Sequence, residues 1–232
     1  MELISGRNVL REALSAGAPI NRVYVQEGKL HGSIIDLVED IKRAGIDLSY
    51  RPKEDLDQMV SGLHQGIVGE LDSFKTYSLK ELMDEGDRFV ILDEIEDPHN
   101  VGAIIRTAEA AGFDGLIIQK RRSSGITNTV HRSSAGATFH LKIAVVTNIS
   151  RTITEMKENN IWVYGADGEG QTSYTEADLT GRVALVIGSE GKGMTRLVKK
   201  SCDVLVKIPM YGKMESLNAS NAASILIYEV VR

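Results

Sequence analysis

The feature that most constrains the fold is a set of short apolar runs in which polar and apolar residues do not alternate. VALVI at residues 183–187 and VLVKI at residues 204–208 are almost entirely Val, Ile and Leu. Such runs indicate strands buried on both faces, as in the interior of a parallel sheet. The pattern predicts an α/β fold with a mostly parallel sheet. We expect six strands in it, at residues 89–93, 115–119, 141–146, 161–165, 183–187 and 204–208.

The first third of the chain alternates helical and strand patterns on a smaller scale. This indicates a small α/β domain. Its expected elements are helices at Asn8–Ser15 and Ile34–Arg43 and strands at Arg22–Gln26, Asp47–Tyr50 and Ile67–Leu71. The polar stretch that follows holds only a short helical pattern at Leu79–Met83. We therefore predict an N-terminal domain at residues 1–72, a linker at 73–87 and a larger domain at 88–232.

Composition excludes several classes of protein. The 232 residues carry a net charge of −5, which argues against binding nucleic acid by bulk electrostatics. The single cysteine, Cys202, excludes an intrachain disulfide and a cysteine-cluster metal site, and we expect it to be a buried or structural thiol rather than a nucleophile. No apolar stretch approaches ~20 residues and no signal peptide pattern is present, so we expect a cytoplasmic protein without a membrane partner.

Polar residues gather where the first strand of the larger domain meets a helix. Asp93, Glu94, Asn100 and Arg106 lie at or near the carboxyl end of that strand, where open α/β sheets bind ligands. We expect Asn100 to be the N-cap of a helix at Val101–Ala111. The alternative is that Asn100 only caps and that Arg106 is a solvated helix cation.

A glycine-rich turn follows the strand at residues 183–187. Gly188, Gly191 and Gly193 would let backbone approach a ligand closely. The sequence matches neither the P-loop nor the dinucleotide-binding pattern, which disfavours an NTPase or a dehydrogenase. A plain strand-to-helix turn remains the alternative.

Three motifs in this order resemble the SpoU/TrmH family of RNA ribose 2′-O-methyltransferases, within the SPOUT superfamily. They are DPHNVGAIIRTAEAAG at residues 97–112, IGSEGKGM at 187–194 and IPMYGKMESLNAS at 208–220. The N-terminal part, with GRNVLREAL at 6–14 and LHQGIV at 63–68, is similar to the substrate-binding domain of the 23S ribosomal RNA guanosine-2′-O-methyltransferases. The resemblance implies a C-terminal trefoil knot, S-adenosyl-L-methionine as cofactor, and methylation of a guanosine ribose in 23S rRNA.

The resemblance also assigns residues to the site. The catalytic positions that it implies are Asn100, Arg106, Glu190, Ser216 and Asn218. The cofactor-binding positions that it implies are Ala166, Gly188, Glu190, Ile208, Met210, Leu217 and Asn218. Arg106 would act as a base, stabilise a developing alkoxide or grip a phosphate, and we expect Ser216 to cap a last helix at Leu217–Val231. No metal is expected.

RNA and a second copy of the chain are the expected partners. Residues 1–72 hold 8 Lys and Arg against 12 Asp and Glu, so RNA binding must depend on local groups. The candidates are Arg7, Arg11, His64, Arg121, Arg122 and Arg132. Family sites are completed at a homodimer interface, to which the last helix would contribute Ile225, Leu226 and Tyr228.

Two other functions remain open. The same chemistry could act on transfer RNA, or the chain could be a non-catalytic RNA-binding or ribosome-assembly protein that keeps the fold. DNA is not an expected partner.

Overall fold

A computed structural model describes residues 1–232 and contains two compact units. The first unit comprises Met1–Lys75 and Ile126–His140, and the second comprises Thr76–Gly125 and Leu141–Arg232. The strands are β1 (Glu2–Ser5), β2 (Ile20–Gln26), β3 (Asp47–Arg51), β4 (Ile67–Leu71), β5 (Arg88–Asp93), β6 (Gly115–Gln119), β7 (Lys142–Val146), β8 (Trp162–Ala166), β9 (Thr172–Ser173), β10 (Val183–Gly188) and β11 (Val204–Lys207). The helices are α1 (Arg7–Ser15), α2 (Ile34–Arg43), α3 (Lys53–Met59), α4 (Leu79–Glu85), α5 (Pro98–Ala110), α6 (Asn128–Ser133), α7 (Ile149–Glu158), α8 (Arg196–Ser201) and α9 (Ala219–Val230).

The first unit is a small α/β domain with a four-stranded sheet in the order β1-β4-β2-β3. β4 runs antiparallel to β1 and β2, and β2 runs parallel to β3. Its core joins buried side chains of α1 and α2, such as Leu10, Leu37 and Ile41, to those of the strands. The predicted strands and helices are all present; β1 and α3 were not predicted.

Residues 126–140 belong to the first unit, although the sequence placed them in the larger domain. Ser5 N donates to Asn128 Oδ1 at 2.9 Å, which ties α6 to the end of β1. His131 is fully buried and stacks on Phe139 with 5.0 Å between ring centroids. Phe139 packs against the core of this unit. The segment therefore completes the first unit, while residues 76–87, including α4, belong to the second.

The second unit contains a parallel seven-stranded sheet in the order β7-β6-β5-β10-β8-β11-β9. All six expected strands are present, and the two-residue β9 is an addition. Residues Val183 to Ile187 in β10 are each at most 2% exposed, as expected of an interior strand. The run at 204–208 is only half-buried apart from Val206, because short β9 is the outer neighbour of β11. The expectation of full burial was wrong there.

The parallel arrangement brings the carboxyl ends of β5, β10, β8 and β11 to one edge of the sheet, since these strands are consecutive neighbours. Asp93, Gly188, Ala166 and Lys207 are the last residues of these strands. The loops that follow them carry the second and third sequence motifs and the start of α5. None of the helices is both long and apolar enough to cross a lipid bilayer.

Candidate active site at the strand ends

Asn218 joins the three sequence motifs through its side-chain amide. Its Nδ2 donates to Asn100 Oδ1 at 3.0 Å and to Glu190 Oε1 at 2.9 Å. Its Oδ1 accepts from Ser220 N at 2.9 Å and from Ser220 Oγ at 2.6 Å. An asparagine amide has two N–H donors and two acceptor lone pairs, so all its hydrogen-bonding capacity is used. The orientation of this amide is therefore fixed by the protein itself.

Asn218 is also the N-cap of α9, a position that the sequence analysis wrongly gave to Ser216. Both residues precede the same apolar helix, but the amide of Asn218 reaches the N–H of Ser220. Ser216 lies two residues earlier and is exposed.

Asn100 is likewise not the N-cap of α5. Asp97 holds that position, accepting from His99 N at 3.0 Å, and Pro98 begins the helix. Proline suits the first helical position because its φ is already helical and its missing N–H needs no partner there. Asn100 consequently lies within the first turn, only 8% exposed, and its side-chain oxygen is left to accept from Asn218.

The glycine-rich loop after β10 folds back on itself. Ser189 and Gly193 exchange two backbone hydrogen bonds, of 3.1 and 2.9 Å. A Cβ on Gly188 would lie 2.3 Å from the backbone of Gly193 and Met194, so no side chain fits at that position. Gly191 and Gly193 have φ of +76° and +65°, a region that glycine adopts without strain.

A buried carboxylate anchors the far end of this loop. Asp93, at the end of β5, is 1% exposed, and its Oδ2 accepts from Thr195 N at 2.6 Å. Burial raises the pKa of Asp93 above its usual range, and the hydrogen bonds from Thr195 partly oppose that rise. The end of β5 is therefore linked through a side chain to the end of the loop that follows β10.

A cavity of about 330 Å³ opens between the strand ends and the loops. Six of the seven predicted cofactor-binding residues line it: Ala166, Gly188, Glu190, Ile208, Met210 and Leu217. Asn218 does not line it but holds Glu190, which does. Ser216, predicted to be catalytic, is also in its wall.

Other wall residues were not assigned to the site from the sequence. Ile187 and Val206 read as strand core, and Ala219 and Ala222 as helix packing, because their apolar character carries no chemical signal. Glu215 adds a carboxylate, and Asp167, in the turn with Ala166 that the sequence did indicate as a wall, adds another. Asp167 is held by Lys199 of α8 through an ion pair of 2.9 Å, and Lys199 also pairs with Glu169 at 3.0 Å. The turn after β8 is thus tied to α8.

Arg106 is separated from the other predicted catalytic residues. It is exposed on α5 and neither lines the cavity nor bonds to Asn218. Asn100 lies six residues before it, which places the two side chains on different faces of the helix. The structure thus brings Asn100, Glu190 and Asn218 together and leaves Arg106 apart from them.

The predicted RNA-binding residues fall into separate groups. In the first unit, Arg7 Nε donates to Gln65 O at 3.1 Å and Arg132 donates to Ser61 O at 3.3 Å, so both border the turn that contains His64. Arg11 instead donates to Ser33 O at 3.4 Å. In the second unit, Arg121 is exposed, and Arg122 forms an ion pair of 2.7 Å with Glu94.

Comparison with known proteins places this architecture in a class. Residues 87–228 match the SpoU rRNA methylase family, and residues 3–77 match the domain described as RNA 2′-O ribose methyltransferase substrate binding. The chain is a two-domain RNA methyltransferase by fold and sequence. It belongs to the SpoU rRNA methylase family.

Relatives and solved structures agree with this assignment. YacO of Bacillus subtilis (strain 168), whose name places it in the TrmH family of tRNA/rRNA methyltransferases, is 45% identical over 100% of this chain and 95% of its own length. The SpoU methyltransferase AviRb from Streptomyces viridochromogenes, in complex with AdoMet, has a TM-score of 0.84, 25% identity, and coverage of 99% of this chain and 88% of AviRb. A TrmH/SpoU tRNA modifying enzyme of A. aeolicus covers only 66% of this chain and 80% of its own, with 27% identity and a TM-score of 0.57.

Proposed function

We propose that this chain transfers a methyl group from S-adenosyl-L-methionine to the 2′-hydroxyl of a guanosine ribose in 23S ribosomal RNA. The observation that carries the proposal is the meeting of three separate sequence motifs at Asn218, beside a cavity of about 330 Å³. A purely structural loop cluster would not need an oriented amide, a carboxylate and an open cavity at one place.

The cavity suits S-adenosylmethionine chemically. Its apolar wall, with Ile208, Met210 and Leu217, would hold the adenine, and Gly188 and Gly193 offer backbone without side chains. Asp167, Glu190 and Glu215 would complement the positive charges of the sulfonium and amino groups. A volume of this size is within the range of ~300–1,000 Å³ that is typical of ligand pockets. When bound, the cofactor supplies an electrophilic methyl group.

The chain's own residues would position the ribose and stabilise charge. Glu190 uses one carboxylate oxygen to accept from Asn218, which leaves the other for a substrate group. Ser216, exposed in the cavity wall, can donate to a ribose or phosphate oxygen. A guanidinium does not give up its proton readily, so we assign Arg106 to stabilising the developing alkoxide or gripping the adjacent phosphate rather than to base catalysis.

We propose a homodimeric enzyme of the cytoplasm, in which a second copy completes the site around the exposed Arg106. Tyr228 of α9 is 53% exposed and Ile225 is half-buried, so both could contribute to an interface. Leu226 is 1% exposed within its own unit and cannot, contrary to the sequence expectation. Sedimentation at micromolar concentration should show a dimer; a fully active monomer would contradict this part of the proposal. The trefoil knot belongs to the same proposal and is supported by the placing of β10 and β11 on either side of β8.

Ribosomal RNA is preferred to transfer RNA as substrate because of the first unit. The family that residues 87–228 match is described as one of rRNA methylases, and the tRNA modifying enzyme of A. aeolicus aligns with only 66% of this chain. The match of residues 3–77 to the substrate-binding domain of RNA 2′-O ribose methyltransferases supports a role of the first unit in binding the RNA. Methylation of tRNA is the second candidate, because the name of YacO covers both RNAs.

The test uses RNA from a strain that lacks the gene. Purified chain and labelled S-adenosylmethionine are incubated separately with 23S rRNA and with total tRNA, and methylated riboses are then mapped. We expect label in a single guanosine of 23S rRNA. Label only in tRNA would select the second candidate. Absence of S-adenosylmethionine binding in calorimetry would support a non-catalytic RNA-binding protein instead.

A further inference from the structure

We propose that a second cavity, within the first unit, binds one unpaired nucleotide of the RNA. The cavity has a volume of about 510 Å³ and lies beside the turn Gly62–Gly66. The inference rests on the proposed function in taking RNA as the partner. It adds the part of the RNA that is recognised and the residues that recognise it.

The turn is rigidly built before any ligand arrives. His64 is 4% exposed; its Nδ1 accepts from Gly66 N at 3.0 Å, and its Nε2 therefore carries the proton and donates to Asp57 Oδ1 at 3.0 Å. Gln65 is held by Arg7, whose backbone N donates to Gln65 Oε1 at 2.9 Å. Gly62, Gln65 and Gly66 have φ of +87°, +57° and +81°, so three left-handed residues occur within one short turn. The two glycines adopt this region without strain, whereas Gln65 is a non-glycine residue whose left-handed backbone is held by its contacts with Arg7.

The side chains around the cavity offer a base and a phosphate different surfaces. Leu30 and Ile34 supply apolar wall, and Leu63 at its rim is 68% exposed. Gln26 and His31 add hydrogen-bonding groups of the kind that read the edges of unstacked bases. A cavity lined in this way suits a splayed base better than a stretch of duplex.

Positive charge is concentrated here despite the acidic balance of residues 1–72. Arg7, Lys29 and Lys53 all line the cavity. Of the five other cations in this stretch, Arg22 and Arg43 form ion pairs, Arg22–Asp47 at 2.6 Å and Arg43–Asp40 at 2.9 Å. The wall also contains two carboxylates, Glu27 and Asp57, the second of which accepts from His64, so the cations outnumber the carboxylates by three to two. The three cations can therefore hold the phosphate that flanks the bound base.

The test separates the phosphate from the base, using the full chain and a labelled RNA stem-loop with a single-stranded loop. A blunt duplex with the same stem is the reference RNA. We expect tighter binding of the stem-loop. The double variant Lys29→Ala/Lys53→Ala should lower the salt slope of stem-loop binding by about 2, because each lysine removed leaves one phosphate charge without its partner. Leu63→Ala should weaken stem-loop binding several-fold without changing that slope. The matched control is Lys42→Ala, an exposed lysine outside the cavity, which should change neither.

Three results would overturn the site: equal affinity for stem-loop and duplex, an equal effect of Lys42→Ala, or unchanged binding in Lys29→Ala/Lys53→Ala. Circular dichroism and urea denaturation of each variant report that the first unit is folded, because the cofactor cavity lies in the second unit. If the wild type methylates no RNA but the cavity variants lose stem-loop binding, the proposed function is wrong and the nucleotide site is supported. If the variants methylate normally and bind RNA as the wild type does, the nucleotide site is wrong and the proposed function is unaffected.

Discussion

The side-chain amide of Asn218 has two structural roles, a helix cap and a link between motifs, and substitution can separate them. Its oxygen caps α9 through Ser220, while its nitrogen holds Asn100 and Glu190. Asn218→Asp keeps the capping oxygen and replaces the donor by a second acceptor that faces two oxygens. Asn218→Ala removes both the helix cap and the hydrogen bonds to Asn100 and Glu190.

We therefore expect both variants to lose methyl transfer by roughly 100-fold or more, because the site loses its geometry. Only Asn218→Ala should also lose the cap, at about 1 kcal/mol of unfolding free energy. Single-turnover assays and urea denaturation measure the two effects. Equal activity in Asn218→Asp and the wild type would show that the hydrogen bonds from the amide nitrogen are incidental.

Arg106 should matter for chemistry and not for holding the cofactor. Arg106→Ala is expected to abolish methyl transfer while S-adenosylmethionine affinity stays within a few-fold, since Arg106 does not line the cavity. Arg106→Lys is the matched variant, which keeps the charge but loses the planar fork. Turnover close to normal in Arg106→Ala would remove this residue from the site.

Cys202 should be inert in the folded chain. Burial raises the pKa of its thiol from 9.0 to about 12, so almost no thiolate forms at neutral pH. An acid whose pKa rises on folding stabilises the fold below the unfolded pKa and loses that contribution as pH rises. We therefore expect stability to fall between pH 9 and pH 12. Cys202→Ser should flatten that part of the stability curve, and thiol reagents should label the wild type only on unfolding.

At the scale of elements, the loop after β10 depends on a glycine that has no room for even one methyl group. A Cβ on Gly188 would meet backbone rather than a flexible side chain, so relief requires the loop itself to shift. We expect Gly188→Ala to cost about 1–3 kcal/mol of stability and to weaken S-adenosylmethionine binding. Gly191→Ala is the control, because its Cβ would meet nothing within 4 Å and only the positive φ is strained. Calorimetry of both variants distinguishes lost space from lost backbone freedom.

The elements that the sequence predicted well are those with strong burial. All six expected strands of the large sheet were found, because continuous apolar runs report burial on both faces. Helix starts were harder: Asp97 and Asn218, not Asn100 and Ser216, are the caps. Several polar residues precede each helix, and only the tertiary structure decides which of them turns its side chain back to the backbone. β1 and α3 were not predicted because their patterns are weak. β1 has only four residues, and α3 has only one buried side chain, Leu56.

At the scale of the whole molecule, the motifs indicated most of the cavity wall but not the separation of Arg106. A motif fixes sequence spacing, whereas the face of α5 that a residue occupies relative to its neighbours depends on packing against α9. The membership of residues 126–140 could not be predicted either. Their partners, such as Ser5 and Glu2, lie more than a hundred residues away in the sequence.

This membership changes what a truncation should do. Removal of residues 1–75 leaves the seven-stranded sheet intact, and we expect S-adenosylmethionine binding to survive. The truncation also removes the residues that contact 126–140 in the first unit, so we expect limited proteolysis to cleave within 126–140. A second truncation that also replaces 126–140 by a short Gly-Ser linker should resist cleavage and bind the cofactor equally well. Protection of 126–140 in the first truncation would contradict the division into units.

The three passages of the chain between units also set the order in which the protein can be completed as it is synthesised. The first unit has its sheet once Leu71 has been made, but Phe139 and α6 complete it much later. At ~5–20 residues per second, translation needs several more seconds to supply them. By then β5 and β6 of the second unit have also been made. The N-terminal unit therefore lacks Phe139 and the contacts of α6 until residues 126–140 have left the ribosome, although the buried core itself is built from residues 4–71.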